Sequence, residues 1–288
     1  MTFDLHRLPK KTFAISNKAS RIEKLCKMLE EVATDRALSA AKASELQGLL
    51  NFAVSFYMGR GLKHLVSAFM PFAEGQRTQR PDELVNLCTY AKSMLQGQKP
   101  RAHALGDARS PILIFTEGAY ENGVATAGAV VIDGPSRVAF VVTVPEALVK
   151  LWTKVAGEQI ISQVELWALV SVRWCLRKQL HGRRVIKWID NEAARVCAIK
   201  ANSPSISMKV LARLLADLEL HWPTFSWTER VCSFSNPSDL PSRGKLEEAL
   251  HKYNLTDGGV LDASIDMADL VLDLHQSPYN TALQKLGT

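Results

Sequence analysis

Four acidic residues sit where predicted elements end or begin. They are Glu117 in Ile-Phe-Thr-Glu-Gly, Glu165 in Val-Glu-Leu-Trp-Ala, Asp190 in Trp-Ile-Asp-Asn-Glu and Asp239 in Asn-Pro-Ser-Asp-Leu. Each alone has a plainer reading. Glu117 suits a turn beside Gly118, Glu165 suits the first turn of a helix, and Asp190 and Asp239 suit N-caps. Their joint order on the predicted elements points instead to one cluster. Four carboxylates at close quarters repel one another strongly unless cations intervene. Hard divalent ions with oxygen ligands meet that need, magnesium first and manganese as a substitute. Two such ions about 3.5–4 Å apart activate water and stabilise the leaving oxygen of a phosphodiester.

The elements that would position these acids follow from pattern. Ile112 to Phe115 is a short buried-strand run ending at Glu117. Ala125 to Ile132 and Arg137 to Val144 read as two more strands around the turn Asp133-Gly134-Pro135, giving an antiparallel meander. Ile160 to Leu180 is a long helix with Val164, Ala168, Val172 and Leu176 on one stripe. Val185 to Ile189 is a strand, Glu192 to Lys200 and Ile206 to Leu220 are helices, and Phe225 to Val231 is a last strand. Strand–helix–strand order calls for right-handed crossovers and parallel pairing. The expectation is an α/β domain over residues 111–245, with a mixed five-stranded sheet and flanking helices. The first and fourth strands should be central neighbours. Their carboxyl ends would bring Glu117 and Asp190 together, where open α/β sheets bind ligands.

Residues 1–96 read as helical. Ser20-Arg21-Ile22-Glu23 has the form of a capping box, followed by Leu25, Cys26, Leu29 and Val32 at helical spacing. A second helix spans about Ser39 to Tyr57, with Leu46, Leu49, Leu50, Ala53, Phe56 and Tyr57 on one side and Gly59 and Gly61 to end it. A third carries Leu62, Leu65, Val66 and Phe69 and should stop before Pro71; a fourth starts at Pro81-Asp82-Glu83. Residues 97–110 lack periodicity and read as a linker, and residues 246–288 as a tail with helical segments.

Composition narrows the class. A 47% hydrophobic, 22% charged chain is ordinary for a globular protein. The net charge of +6 suits a polyanionic partner without requiring one. The five scattered cysteines, odd in number and without a CxxC spacing, speak against both a disulfide framework and a zinc site. No signal-peptide core and no membrane-length apolar run are present, so an intracellular protein, nuclear or cytoplasmic and not secreted, is expected.

Ile112–Gly118, Val164–Ala168, Asp190–Ala194 and Asn236–Arg243 together resemble the ribonuclease H superfamily. Val-Glu-Leu-Trp-Ala, Trp-Ile-Asp-Asn-Glu-Ala-Ala and Ser-Asn-Pro-Ser-Asp-Leu-Pro-Ser-Arg are most similar to the ribonuclease H regions of retrotransposon polyproteins. The resemblance implies that Asp190 and Glu117 hold or bridge the metals. It implies that Glu165 holds one metal near the scissile strand and that Asp239 completes the second site. Asn191, Gly118, Arg195 and Arg243 become candidate substrate contacts. The implied reaction is hydrolysis of the RNA strand of an RNA–DNA hybrid, leaving a 3′-hydroxyl.

Leu46-Gln47-Gly48-Leu49-Leu50-Asn51-Phe52-Ala53, followed by Gly59-Arg60-Gly61, resembles the thumb of retroelement reverse transcriptases, and Thr2-Phe3-Asp4-Leu5 resembles the end of a polymerase palm. The implied partners are an RNA–DNA hybrid or other nucleic acid and the rest of a reverse transcriptase polyprotein, with no membrane. No adjacent Asp-Asp pair occurs, so polymerase activity is not expected of this chain. Two departures from the family matter. Glu117 stands where aspartate is usual, and a misplacement of about 1 Å can cost on the order of 100-fold in rate. No histidine precedes Asp239 in its loop. The alternatives are a catalytically silent domain that binds nucleic acid or serves as a connection, and a host protein working through protein contacts.

Overall fold

A computed structural model describes residues 2–6, 8, 11–55, 62–75, 80–105, 109–157 and 159–276. The chain divides between Arg109 and Ser110 into two compact units.

The first unit runs β1 (Thr2–Asp4), β2 (Thr12–Ser16), α1 (Ala19–Asp35), α2 (Ala40–Ser55), α3 (Lys63–Ala73), α4 (Pro81–Gln96) and β3 (Arg101–Ala104). The helices bury the stripes that their spacing predicts: Leu25, Leu29 and Val32; Leu46, Leu50 and Ala53; Leu65 and Phe69; Leu84, Leu87, Ala91 and Leu95. Phe56, Tyr57, Gly59 and Gly61 lie outside the described residues, as do residues 277–288 of the tail. Three details differ from expectation. α1 begins at Ala19 with Lys18 as its cap and no side-chain capping bond, so Ser20 and Glu23 form no capping box. α3 runs through Pro71, giving up the one bond that Pro71 cannot donate, and ends two residues later at Ala73. β1, β2 and β3 pair as an antiparallel sheet, with β3 inside the stretch read as linker. Strands of three to five residues are too short for a period of two to stand out.

The second unit is α/β. It runs β4 (Ile112–Glu121), β5 (Val124–Asp133), β6 (Ser136–Val142), α5 (Glu146–Ala156), α6 (Ile161–Cys175), α7 (Arg177–Leu180) and β7 (Arg184–Ile189). It continues with α8 (Glu192–Lys200), α9 (Ile206–His221), β8 (Phe225–Arg230), α10 (Asp239–Ser242), α11 (Leu246–Tyr253), β9 (Thr256–Leu261) and α12 (Asp269–Gln276). One mixed sheet has the order β8-β7-β4-β5-β6-β9. β4, β5 and β6 form the antiparallel meander, while β7 joins β4, β8 joins β7 and β9 joins β6 in parallel.

The expected five strands are present and a sixth, β9, comes from the tail that was read as helical. Its Thr-Asp-Gly-Gly-Val-Leu has no apolar alternation to announce it. The glycine is required by the pairing, because a Cβ at Gly258 would lie 2.2 Å from the Phe140 ring. β4 also runs past Glu117 to Glu121, where Asn122 and Gly123 adopt the two positive φ angles of a tight hairpin. The long helix expected over 160–180 breaks at Leu176 into α6 and α7.

α6 lies on β4 and β5 and packs against α8 and α9. Residues 163–174 of α6 are buried, so it is the central helix of the core. Trp167 meets Trp152 edge to face, and its indole donates to the Thr143 carbonyl at 2.8 Å. On α9, Glu219 is buried between Arg173 and Lys187, each 3.4 Å away. Burial alone would raise its pKa, but the two cations and Thr224 hold it down to about 2. Lys187 is therefore an interior residue. No described helix is long and apolar enough to cross a membrane.

Candidate active site

The parallel ladder between β4 and β7 ends at Thr116 and Ile189. The next residue on each strand is Glu117 or Asp190, so these two lie abreast. Successive residues of a strand face opposite sides of the sheet. Gly118 therefore faces away from Glu117, and this alternation builds the site from both faces.

On the Gly118 side, α6 comes down onto the strand. A Cβ at residue 118 would lie 2.9 Å from the Glu165 backbone nitrogen. Only glycine admits the helix start this closely, and the close approach carries the Glu165 carboxylate to the strand ends. Its Oε2 accepts from the Asn191 N–H at 3.1 Å, one residue past Asp190. On the other side, Glu117 pairs across the ladder with Gly128. A Cβ there would lie 2.5 Å from the Ser242 nitrogen, so α10 rests on β5 at this point and brings Asp239 to the face of Glu117.

Each carboxylate is met by a protein donor. Asn236 donates to Glu117 Oε2 at 2.6 Å and to the Thr116 carbonyl at 3.3 Å. Ser233 Oγ donates to Asp190 Oδ2 at 2.5 Å. Arg243 Nε donates to Asp239 Oδ1 at 3.0 Å, and its Nη1 donates to Glu121 at 2.8 Å. The four acids also sense one another. Burial, then the Asp190 charge, pushes the Glu117 carboxyl up to about 7 against the pull of the Asn236 bond, with Asp239 adding to the rise. Burial, then the Glu117 charge, pushes Glu165 up to about 8 against its bonds from Asn191.

The donor set is all oxygen, and burial and then neighbouring carboxylate charge make two of its members hold protons near neutral pH. That chemistry fits a hard divalent cation. Glu117, Glu165, Asp190 and Asp239 are the residues that would hold one. Among the described residues, no group of three or more His, Cys, Asp or Glu side chains stands ready to hold an ion. The carboxylates are turned to protein donors, and an ion must displace some of these.

The remaining candidates have other work in this arrangement. Asn191 caps α8, its Oδ1 accepting from Ala194 N at 2.9 Å and from Ser162 at 3.2 Å. Gly118 is buried under α6 and has no free face for a substrate. Arg195 is paired with Glu192 at 2.8 Å and lies 4.0 Å from Glu229. Arg243 bridges Asp239 and Glu121. Asn236, Ser233, Glu121 and Gly128 went unnoticed in the sequence as site residues. Asn236 had a signal, since it opens the Asn-Pro-Ser-Asp phrase; Gly128 gave none within its own strand.

A scan against models of known protein families found no match to the chain, and a search of curated proteins found none either.

Proposed function

We propose that the second unit is a divalent-metal-dependent nuclease of the ribonuclease H type, hydrolysing the RNA strand of RNA–DNA hybrids. The observation that carries this reading is the meeting of four acids from four separate elements at the carboxyl ends of β4 and β7. Two of them have their ionisation suppressed by burial and by the others. Such clusters are costly without a cation and belong to functional sites. The sheet agrees with the reading, since β4 to β8 form a meander followed by two parallel crossover strands. Phosphoryl chemistry follows from the hard-ion preference, because magnesium orients and activates water against a phosphodiester. In that chemistry Glu117, Glu165, Asp190 and Asp239 would hold the ion. Asn236 and Ser233 fix the orientation of two of these carboxylates.

We place the first unit, whose α2 carries the Leu49-Leu50-Asn51-Phe52-Ala53 phrase, as the thumb-like segment of a retroelement reverse transcriptase. The test is cleavage of an end-labelled RNA–DNA hybrid in magnesium, with Asp190→Asn as the control. RNA-strand cleavage that vanishes in the variant supports the nuclease. A folded protein that binds the hybrid but cuts it in neither magnesium nor manganese sinks the catalytic reading.

One observation favours a second reading. Every acid of the cluster is satisfied by a protein donor, and Glu117 is a methylene longer than the usual aspartate. That arrangement also suits a silent domain that binds a hybrid without cutting it.

A further inference from the structure

After β8 the chain makes a single helical turn at Ser233–Ser235 before reaching α10. Its backbone is closed by Ser235 N donating to Cys232 O at 2.9 Å and Asn236 N donating to Ser233 O at 3.1 Å. Its flanks are tied to the acid cluster, Ser233 to Asp190 and Asn236 to Glu117. Asn236 Oδ1 in turn accepts from Ser238 N and Oγ at 3.2 and 2.6 Å. Between these anchors stands Phe234, 87% exposed, the most exposed large apolar side chain among the described residues.

An isolated exposed phenyl is ordinary on a protein surface. Phe234 differs because the turn cannot fold it away. Ser233 just before it and Asn236 two residues after it are bonded to candidate metal ligands, so the exposed ring is carried on a turn tied to the site at both ends. A phenyl group offers a flat apolar face and no hydrogen bonds. It therefore suits a planar ring of any identity, and nucleobases stack on such faces with little regard to sequence. In a continuous duplex the bases are stacked on one another and present only their edges; a face becomes available where a base is unpaired.

We propose that Phe234 is a stacking platform for an unpaired nucleobase next to the carboxylate site, so that the chain favours substrates with a single-stranded segment adjoining the duplex. This rests on the nuclease reading and adds the substrate class. The base stacks on Phe234 while the adjoining phosphate lies toward Asp190 and Glu117. Because a phenyl face forms no hydrogen bond with a base, the preference it gives is independent of the base's identity.

The experiment compares the full chain binding a blunt RNA–DNA hybrid with the same hybrid carrying a short single-stranded RNA extension. Calcium replaces magnesium so that binding is read without cleavage, and the signal is fluorescence anisotropy of a labelled strand. The wild type is expected to bind the extended hybrid about tenfold more tightly, as loss of one stacked base implies. Phe234→Ala should bind both alike, and Phe234→Trp should keep the preference. Exposure of the side chain leaves the fold intact in either variant, which an unchanged far-ultraviolet circular dichroism spectrum and urea midpoint check. Equal binding of both hybrids by the wild type, or a preference that survives in Phe234→Ala, overturns the inference and leaves the nuclease reading standing. Binding of neither by folded wild type takes down both.

Discussion

Cation-free protein should lose stability as the pH rises through neutrality. Glu117 and Glu165 titrate at about 7 and about 8 in the folded chain, against 4.5 for the free side chain. A carboxyl with a raised pKa binds its proton more tightly when folded than when unfolded. Its contribution is fully present below about pH 4.5 and is lost as the pH climbs through the folded values. A shift like that of Glu117 corresponds to about 3 kcal/mol at the alkaline end. The second group adds less than its own shift, because Glu165 is raised partly by the Glu117 charge. Magnesium acts in the opposite direction by binding the ionised site, and at 100 times its dissociation constant it restores about 3 kcal/mol.

Urea unfolding followed by tryptophan emission isolates the relevant unit, since all six tryptophans fall between residues 152 and 227. A range of pH 5 to 8.5 keeps two other groups out of the slope. Glu219, held at about 2, gives up its contribution only as the pH falls below 4.5, and Cys197, pushed by burial to about 12, matters only above the ordinary thiol value of 9.0. In EDTA the midpoint should fall steadily over this range. Magnesium should flatten the curve, and Glu165→Gln should remove a large part of the slope. A midpoint independent of pH in EDTA, or a slope unchanged in Glu165→Gln, refutes the coupling of the two glutamates.

Two further changes probe the frame around the site. Gly118→Ala and Gly128→Ala put a methyl 2.9 Å from Glu165 N and 2.5 Å from Ser242 N, both backbone atoms that cannot swing aside. Each should cost about 1–3 kcal/mol in urea unfolding and weaken ion binding in calorimetric titration, with loss of stability alone showing that the helix positions do not matter to the acids. Glu219→Gln leaves Arg173 and Lys187 buried without their shared carboxylate. It should destabilise the second unit by about 3–5 kcal/mol, and a change below 1 kcal/mol would mean that other partners carry those cations.

The central strands and the long helix were legible because their signals are local. Ile112 to Phe115 and Val185 to Ile189 are apolar runs, and α6 presents its core residues at helical spacing. The neighbour relation of Glu117 and Asp190 followed from the expected parallel pairing of their strands. β9 was illegible because its pairing depends on a missing side chain at Gly258 fitting under Phe140, a relation between distant residues. Asn236 and Ser233 were missed for a similar reason. An asparagine after a strand reads as a turn former, and only the folded chain shows that its amide ends on Glu117. Asn191 also caps a helix and Gly118 also admits one, relations that only the folded chain shows.

The two glycines also bear on why the acids stand together at all. Separated along the chain, the four carboxylates repel one another only when folding gathers them, so their repulsion is a cost of the native state. Nothing in the packing demands it: α6 would rest on Gly118 equally well with glutamine at 165, and α10 on Gly128 with asparagine at 239. The packing is instead arranged to tolerate the charge. One glycine admits a helix from each face of the sheet, Asn236 and Ser233 orient two of the carboxylates, and Arg243 steadies a third. An arrangement that spends backbone freedom and side-chain bonds on holding like charges together supports the proposal of a cation site over that of a structural polar cluster.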